Sequence, residues 1–293
     1  MKLSMVMALA GGALLTFATR PAHATLLSYE GFDYGSAGTT IQGQNGGTGW
    51  AGGWTAGGYN ASIHTNYVAG AGSLSYPGLL TGGASMDTVS EPAISGIVRN
   101  FASPLGAAGT TRYVSFLVRP EGTLNTGAFN GFFGLYLNAS TGNDMFIGKP
   151  GNGPLNQFTL ETRGGTMQAA SGVIVNPLQT YFLVVRADFT ASNDRFTLYA
   201  NPTVGSAEPA FGTVKNDSDV GAVGGVTLYS TGAYSLDEIR VGTTFADVTP
   251  RAGGAGGPEP DAVLCGLTGL VSLWGMTRRR ARSAFALLRK TKD

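Results

Sequence analysis

From Thr25 to Gly242 short runs of apolar and β-branched residues are separated by clusters of Gly, Asn, Ser, Thr and Asp. Such clusters are turn chemistry, and runs of this length between them read as strands. Leu26–Phe32 opens the series, and weaker runs follow at Ile63–Val68 and Gly96–Phe101. Better ones lie at Arg112–Val118, Gly131–Leu137, Gln157–Thr162, Thr180–Phe189 and Asp194–Ala200, and Val226–Ser230 and Tyr234–Gly242 close it. In Thr180–Phe189, Tyr181, Leu183, Val185, Ala187 and Phe189 fall on one face by period two. Arg186 and Asp188 fall on the other, but so do Phe182 and Val184, which predicts cover on both sides over half the strand. No 3.6-residue apolar period lasts beyond a turn or two. About a dozen short strands with turns between them predict an all-β fold, an antiparallel two-sheet sandwich or jelly roll, as one domain over 25–250.

The two ends follow a different pattern. Residues 1–24 carry Lys2, an apolar run from Leu3 to Phe17, and Ala22-His23-Ala24 as a small-x-small site. This predicts a signal peptide, removed by signal peptidase before Thr25, and therefore export. Residues 251–257 (RAGGAGG) form a spacer with nothing to bury. Pro258-Glu259-Pro260 comes next, then the apolar segment Ala262–Thr277, then Arg278-Arg279-Arg280-Ala281-Arg282 and a basic tail over 283–293. As a helix, 262–277 spans about 24 Å against a hydrocarbon core of about 30 Å, a short transmembrane helix. Arginines behind it stay cytoplasmic, which places the body outside the inner membrane.

Charge sharpens this division. The chain has 19 Lys and Arg against 18 Asp and Glu. Setting aside Lys2 and Arg20, and the seven basic and two acidic residues of 261–293, leaves 10 basic and 16 acidic residues in 25–260. An acidic body argues against nucleic acid as a partner, because that requires a basic footprint. The single cysteine, Cys265, lies in the apolar tail, so the body has no disulfide and no thiol chemistry. Glycine accounts for 46 of 293 residues, about twice the usual share, without a G-X-Y period.

The order Pro258-Glu259-Pro260, apolar helix, arginine cluster resembles the PEP-CTERM sorting signal of Gram-negative bacteria that make exopolysaccharide, over 258–282. The resemblance implies processing by an exosortase-type enzyme and delivery to the cell surface or extracellular matrix, with exopolysaccharide a possible partner. Tyr29-Glu30-Gly31-Phe32-Asp33-Tyr34, the Gly47–Trp54 loop, Tyr113–Val118 and Leu236–Gly242 resemble exported proteins with a concanavalin A-like (laminin G-like) jelly roll. That resemblance implies a fold and no activity.

Carbohydrate-binding jelly rolls often join a Glu of the first strand to an Asp of the last through structural calcium. By strict alternation Asp237 shares a face with Ile239 and Val241, and Glu30 shares one with Leu26 and Phe32. A carboxylate on an apolar face needs a partner, so Glu30 and Asp237 are the candidate Ca²⁺ ligands. Capping of backbone amides by Asp237, with Glu30 meeting solvent or Arg240, is the plainer alternative. Trp50 and Trp54 are candidate sugar-stacking residues, with plugs of the sandwich edge as the preferred reading. No Glu-x-Asp-x-x-Glu run supplies the paired carboxylates of a jelly-roll glucanase, and of the two histidines only His64 follows the signal peptide. The expectation is a non-enzymatic exported β-sandwich of the surface or matrix. A glycan-binding module is the alternative, and a polysaccharide hydrolase stands third.

Overall fold

The computed structural model describes residues 26–57, 67–88, 95–122, 124, 131–152, 156–163 and 166–253. The chain begins with Leu26–Glu30 (β1), Thr55–Ala56 (β2), Tyr67–Ala69 (β3), Met86–Thr88 (β4) and Ser95–Leu105 (β5). Next come Thr111–Pro120 (β6), Phe133–Ala139 (β7), Met145–Lys149 (β8), Gln157–Thr162 (β9) and Thr166–Ile174 (β10). Tyr181–Asp188 (β11), Asp194–Ala200 (β12), Thr213–Ser218 (β13), Val223–Ser230 (β14) and Tyr234–Gly242 (β15) complete the strands, followed by one helical turn, Phe245–Val248 (α1). The stretches of the sequence reading that fall on 1–25 and 254–293 (Ala22, Ala24, Pro258, Glu259, Pro260, the helix 262–277, Arg278, Arg279, Arg280 and the tail) lie outside the described residues, as does His64.

The strands form two antiparallel sheets. One has eight strands in the order β13-β12-β11-β6-β15-β4-β3, with β1 also paired to β15. The other has seven, in the order β10-β9-β8-β7-β14-β5-β2. The fold is thus an all-β two-sheet sandwich, as the strand pattern predicts. Alternate residues of both sheets meet between them: Phe116, Val118, Leu183, Val185 and Ile239 from one, Ile97, Leu135, Ile147, Leu160 and Leu228 from the other. Each such side chain, fully buried, contributes roughly 1.5–3 kcal/mol.

A second layer covers part of the eight-stranded sheet's outer face. Leu74, Leu79, Phe245 and Val248 pack there on Leu117, Phe182 and Val184. This is the double cover that Phe182 and Val184 predict. A capping box between Thr244 and Asp247 holds α1 in place for it.

The glycine-rich loop with two tryptophans is fastened to β1. Tyr29 and Thr48 exchange backbone hydrogen bonds of 2.9 Å. Gly49 has φ +79°, and a Cβ there would lie 1.9 Å from the Leu27 carbonyl oxygen, so no other residue lets the loop approach this closely.

Strict alternation fails in β15. Leu236 opposes Val118 in the core, and Asp237 opposes Leu117 on the outer face. The register then shifts before Arg240 pairs with Ser115. Glu238, at φ 57°, is the inserted residue of a bulge. The bulge restores Ile239 and Val241 to the core and leaves Asp237 on the opposite face from them, so the expectation that these three share a face is corrected. It also lies where β15 changes its neighbour, from β4 at Ser235–Leu236 to β1 at Ile239–Gly242.

Candidate functional site

Glu30 opposes Ile239 and faces the core. Its Oε1 accepts a 2.7 Å hydrogen bond from the Phe32 amide. Its Oε2 accepts from the Tyr34 hydroxyl (2.5 Å) and the Trp54 indole (3.3 Å), and it pairs with the Arg99 guanidinium reaching across from the other sheet. Arg99 also donates to the Gly46 carbonyl and the Asn45 side chain, at 2.7 and 2.9 Å. Both ionic groups are essentially sealed from solvent.

Asp237, on the far side of its sheet, accepts from the Ser73 hydroxyl (2.6 Å) and from the amides of Leu74 (2.8 Å) and Glu238 (2.7 Å). Burial pushes its pKa up to about 8, with the neighbouring Glu238 charge adding to the rise. Glu238 is also raised by burial, which the Arg240 charge opposes. Its Oε1 accepts from the Gly82 amide at 2.5 Å, and it pairs with Arg240.

The structure therefore does not bring Glu30 and Asp237 together. Arg99 stands beside Glu30 where the calcium reading needs a cation, and Asp237 caps backbone amides. Among the described residues no group of three or more His, Cys, Asp or Glu is placed to hold a metal. Trp54 is 1% exposed, stacked on Phe32 at 5.8 Å and inside the Glu30 network, so its ring is an edge plug. Trp50 stacks on Phe101 at 5.3 Å, lies under the Arg99 guanidinium, and donates its indole N–H to the Tyr29 carbonyl at 2.8 Å.

A different face gathers the groups that the sequence reading passed over. Across the outer side of the seven-stranded sheet one cross-strand row reads Val98, Thr227, Tyr136, Phe146, Glu161. The next row reads Gly96, Tyr229, Gly134, Gly148, Thr159, Ala170. The glycines make room for rings: a Cβ on Gly134 or Gly148 would lie 2.5 or 2.9 Å from the Phe146 ring. Phe146 packs on Tyr136 at 4.9 Å and on Phe132 at 5.9 Å, and Phe132 meets Tyr229 at 5.0 Å. Polar groups flank this aromatic strip. Thr227 donates to the Asn138 side chain at 2.8 Å, and Gln168 donates to Glu161 at 2.6 Å. Burial raises the Glu161 pKa, and the Gln168 hydrogen bond offsets part of the rise. Asp144, just ahead of β8, pairs with Arg163 at 3.0 Å. Phe132, Phe146, Tyr229, Thr227 and Glu161 are buried, whereas Tyr136, Asn138 and Asp144 are half-buried, so Tyr136 is the ring of the strip that reaches solvent. The one signal for it in the sequence is the alternation Gly134, Tyr136, Asn138 against Phe133, Leu135, Leu137.

No protein-family model matches the chain, and comparison with curated proteins gives no significant match. Solved structures do resemble it. An endo-1,3-β-glucanase from Streptomyces sioyaensis aligns with a TM-score of 0.50 and 11% identity, over 77% of this chain and 98% of that one. Domain 4 of an extracellular GH43 arabinanase from Geobacillus stearothermophilus, in complex with arabinotriose, gives 0.45 and 15%, over 78% and 98%. A putative β-glucanase from Mycobacterium abscessus gives 0.43 and 14%, over 74% and 100%. The glucanase comparison shows a shared jelly-roll fold. It also corrects the expectation of a non-enzyme, since an endo-1,3-β-glucanase has this same fold.

Proposed function

We propose that the protein is an exported carbohydrate-binding β-sandwich whose glycan lies along the outer face of the seven-stranded sheet. The observation that carries this is the half-buried Tyr136 ring, which packs on the buried rings of Phe146 and Tyr229 and has the half-buried Asn138 and Asp144 on the same face. Sugar rings present an apolar face and a rim of hydroxyls, and a ring with polar neighbours of this kind matches both. The S. sioyaensis glucanase names 1,3-β-glucan as the first probe. Export and sorting rest on Ala22, Ala24, Pro258-Glu259-Pro260 and Arg278–Arg280.

Affinity electrophoresis of the full-length protein in gels containing soluble β-1,3-glucan tests the reading. Wild type is expected to be retarded, and Tyr136→Ala, checked for an unchanged melting temperature, to bind about tenfold more weakly. Equal retardation of the two proteins would remove this face from consideration.

Hydrolysis of the same glycan is the second reading, favoured by the positions of Asp144 and Glu161. Glu161 opposes Phe146, and Asp144 lies two residues before Phe146. The two carboxylates are therefore diagonal cross-strand neighbours on one face, and glycoside hydrolysis uses a pair of carboxyl groups flanking the scissile bond. Release of reducing ends that disappears in Glu161→Gln supports it; binding without release by wild type rejects it.

A further inference from the structure

A second surface, on the opposite side of the sandwich, has the makings of a ligand site. Beyond the layer formed by Leu74 and Phe245, the outer face of the eight-stranded sheet is partly open at β11 and β12, where Arg195 is exposed, Arg186 and Asp188 are half-buried, and Thr197 and Tyr199 are buried. Arg186, Asp188, Arg195, Thr197 and Tyr199 point outward there, because Arg186 opposes Thr197, Asp188 opposes Arg195 and Val184 opposes Tyr199. The segment after β12 folds back over this end. At Gly212 a Cβ would lie 2.7 Å from the Thr197 methyl group and 2.8 Å from the Leu198 carbonyl, so the backbone rests directly on β12. The preceding side chain is thereby raised into solvent: Phe211 is 92% exposed.

Phe211 is a ridge between two hollows. One, of about 460 Å³, is lined by Arg186, Asp188, Arg195, Thr197, Tyr199 and Glu208. The other, of about 500 Å³, is lined by Ser171, Val173, Asn201, Thr203 and Thr213. The polar groups of the first are held in place. Glu208 accepts 2.7 Å hydrogen bonds from the hydroxyls of both Tyr113 and Tyr199. Arg186 binds Asp188 Oδ1 at 2.9 Å and reaches Glu208 at 3.4 Å, and Thr111 donates to the same Asp188 oxygen at 2.7 Å. Asp188 Oδ2 receives no hydrogen bond from the described residues, and Arg195, which is exposed, makes no ion pair with them. The first hollow therefore offers a fixed acceptor and a five-donor guanidinium beside a bare aromatic ring.

We propose that this saddle is a second glycan site, in which a neutral glycan chain crosses Phe211 and places one pyranose in each hollow. Neutrality follows from the lining, where two guanidinium groups face two carboxylates. A sugar fits better than an apolar peptide because the ridge is a single ring and both flanks are polar. The site does not rest on the Tyr136 face, and the two can fail separately.

Calorimetric titration of the full-length protein with β-1,3- and β-1,4-linked glucose hexasaccharides provides the test. Phe211→Ala removes a side chain that supports little of the fold, so its melting temperature should match wild type. Its affinity at one site is expected to fall about tenfold, roughly the contribution of burying one face of the ring. Arg195→Ala should weaken the same site, and Tyr136→Ala should leave it intact. Wild-type affinity in Phe211→Ala, or no binding of either hexasaccharide by wild type, would overturn the proposal.

Discussion

Glu30 and Arg99 lie in different sheets, and their pairing across the edge of the sandwich explains why a carboxylate tolerates the apolar face of the first strand. Every oxygen of Glu30 has a donor, and Arg99 is further bound by the Gly46 and Gly52 carbonyls. Two tryptophan rings lie against the guanidinium, at 4.9 and 5.6 Å. A buried pair adds little over an apolar pair of equal volume, but removing one member strands the other charge. Glu30→Gln should therefore destabilise the protein by about 3–5 kcal/mol. Glu30→Gln combined with Arg99→Met should cost less than the sum of the two single changes. Urea unfolding of the three variants measures this, and strict additivity would show that the two groups do not depend on each other. The need for a partner is legible from Glu30's position among Leu26 and Phe32. The partner is not, because Arg99 is 69 residues away and belongs to a strand whose placement no local pattern specifies.

At the scale of elements, the bulge in β15 has the largest consequence. It turns Asp237 outward, where its carboxylate gathers the Ser73–Leu74 segment, and it holds Glu238 in a left-handed backbone conformation beside Gly82 and Arg240. The pKa of Asp237, raised by burial to about 8 from 3.8, gives this element a pH signature. The folded state holds a proton that the unfolded state releases near pH 3.8. Stability from this group is therefore complete below that pH and is lost as pH rises toward about 8. The slope for one proton cannot exceed about 1.4 kcal/mol per pH unit. Asp237→Asn should flatten the decline between pH 4 and 8, leaving the part that belongs to Glu238. Denaturation midpoints across that range decide it; parallel curves for the two proteins would mean that Asp237 is already ionised when folded. Strands whose runs stand out between turn residues, such as β6, β11 and β12, can be read directly from the chain. Those that escape such a reading have identifiable reasons. β8 (MFIGK) is buried at every position and shows no alternation. β13 (TVKNDS) is a polar edge strand, and β10 (TMQAASGVI) is diluted by small residues. A bulge inverts facing after one inserted residue, so alternation alone misplaces Asp237. The aromatic strip is harder still, since its row is assembled from β14, β7, β8 and β9, and alternation within a strand does not say which strands are neighbours.

For the whole molecule, the two proposed glycan faces lie on opposite sides of the sandwich, and in the proposed sorting the ends of the chain would decide where that body is delivered. The last stitches to the sandwich come just before the glycine spacer: Leu80 N–H donates to the Pro250 carbonyl and Ala252 N–H to the Gly78 carbonyl, both at 2.8 Å. Leu79 and Arg251 form an isolated bridge between them. A cut near Pro258 therefore lies beyond every one of these hydrogen bonds and leaves the described fold whole. Loss of both ends also changes the charge, because the basic residues concentrated after Thr277 go with the tail and the acidic body remains. An acidic, soluble product suits release into a polysaccharide matrix, while a retained tail would hold the same domain against the membrane. In a host with an exosortase-type enzyme, intact-mass analysis of the exported protein should find a chain that begins at Thr25 and ends close to Pro258. Replacing Pro258 and Glu259 by Ala should shift the protein to the membrane fraction with its melting temperature unchanged. An exported product that still carries Arg278–Arg280 would defeat the sorting proposal and leave the carbohydrate reading of the body standing.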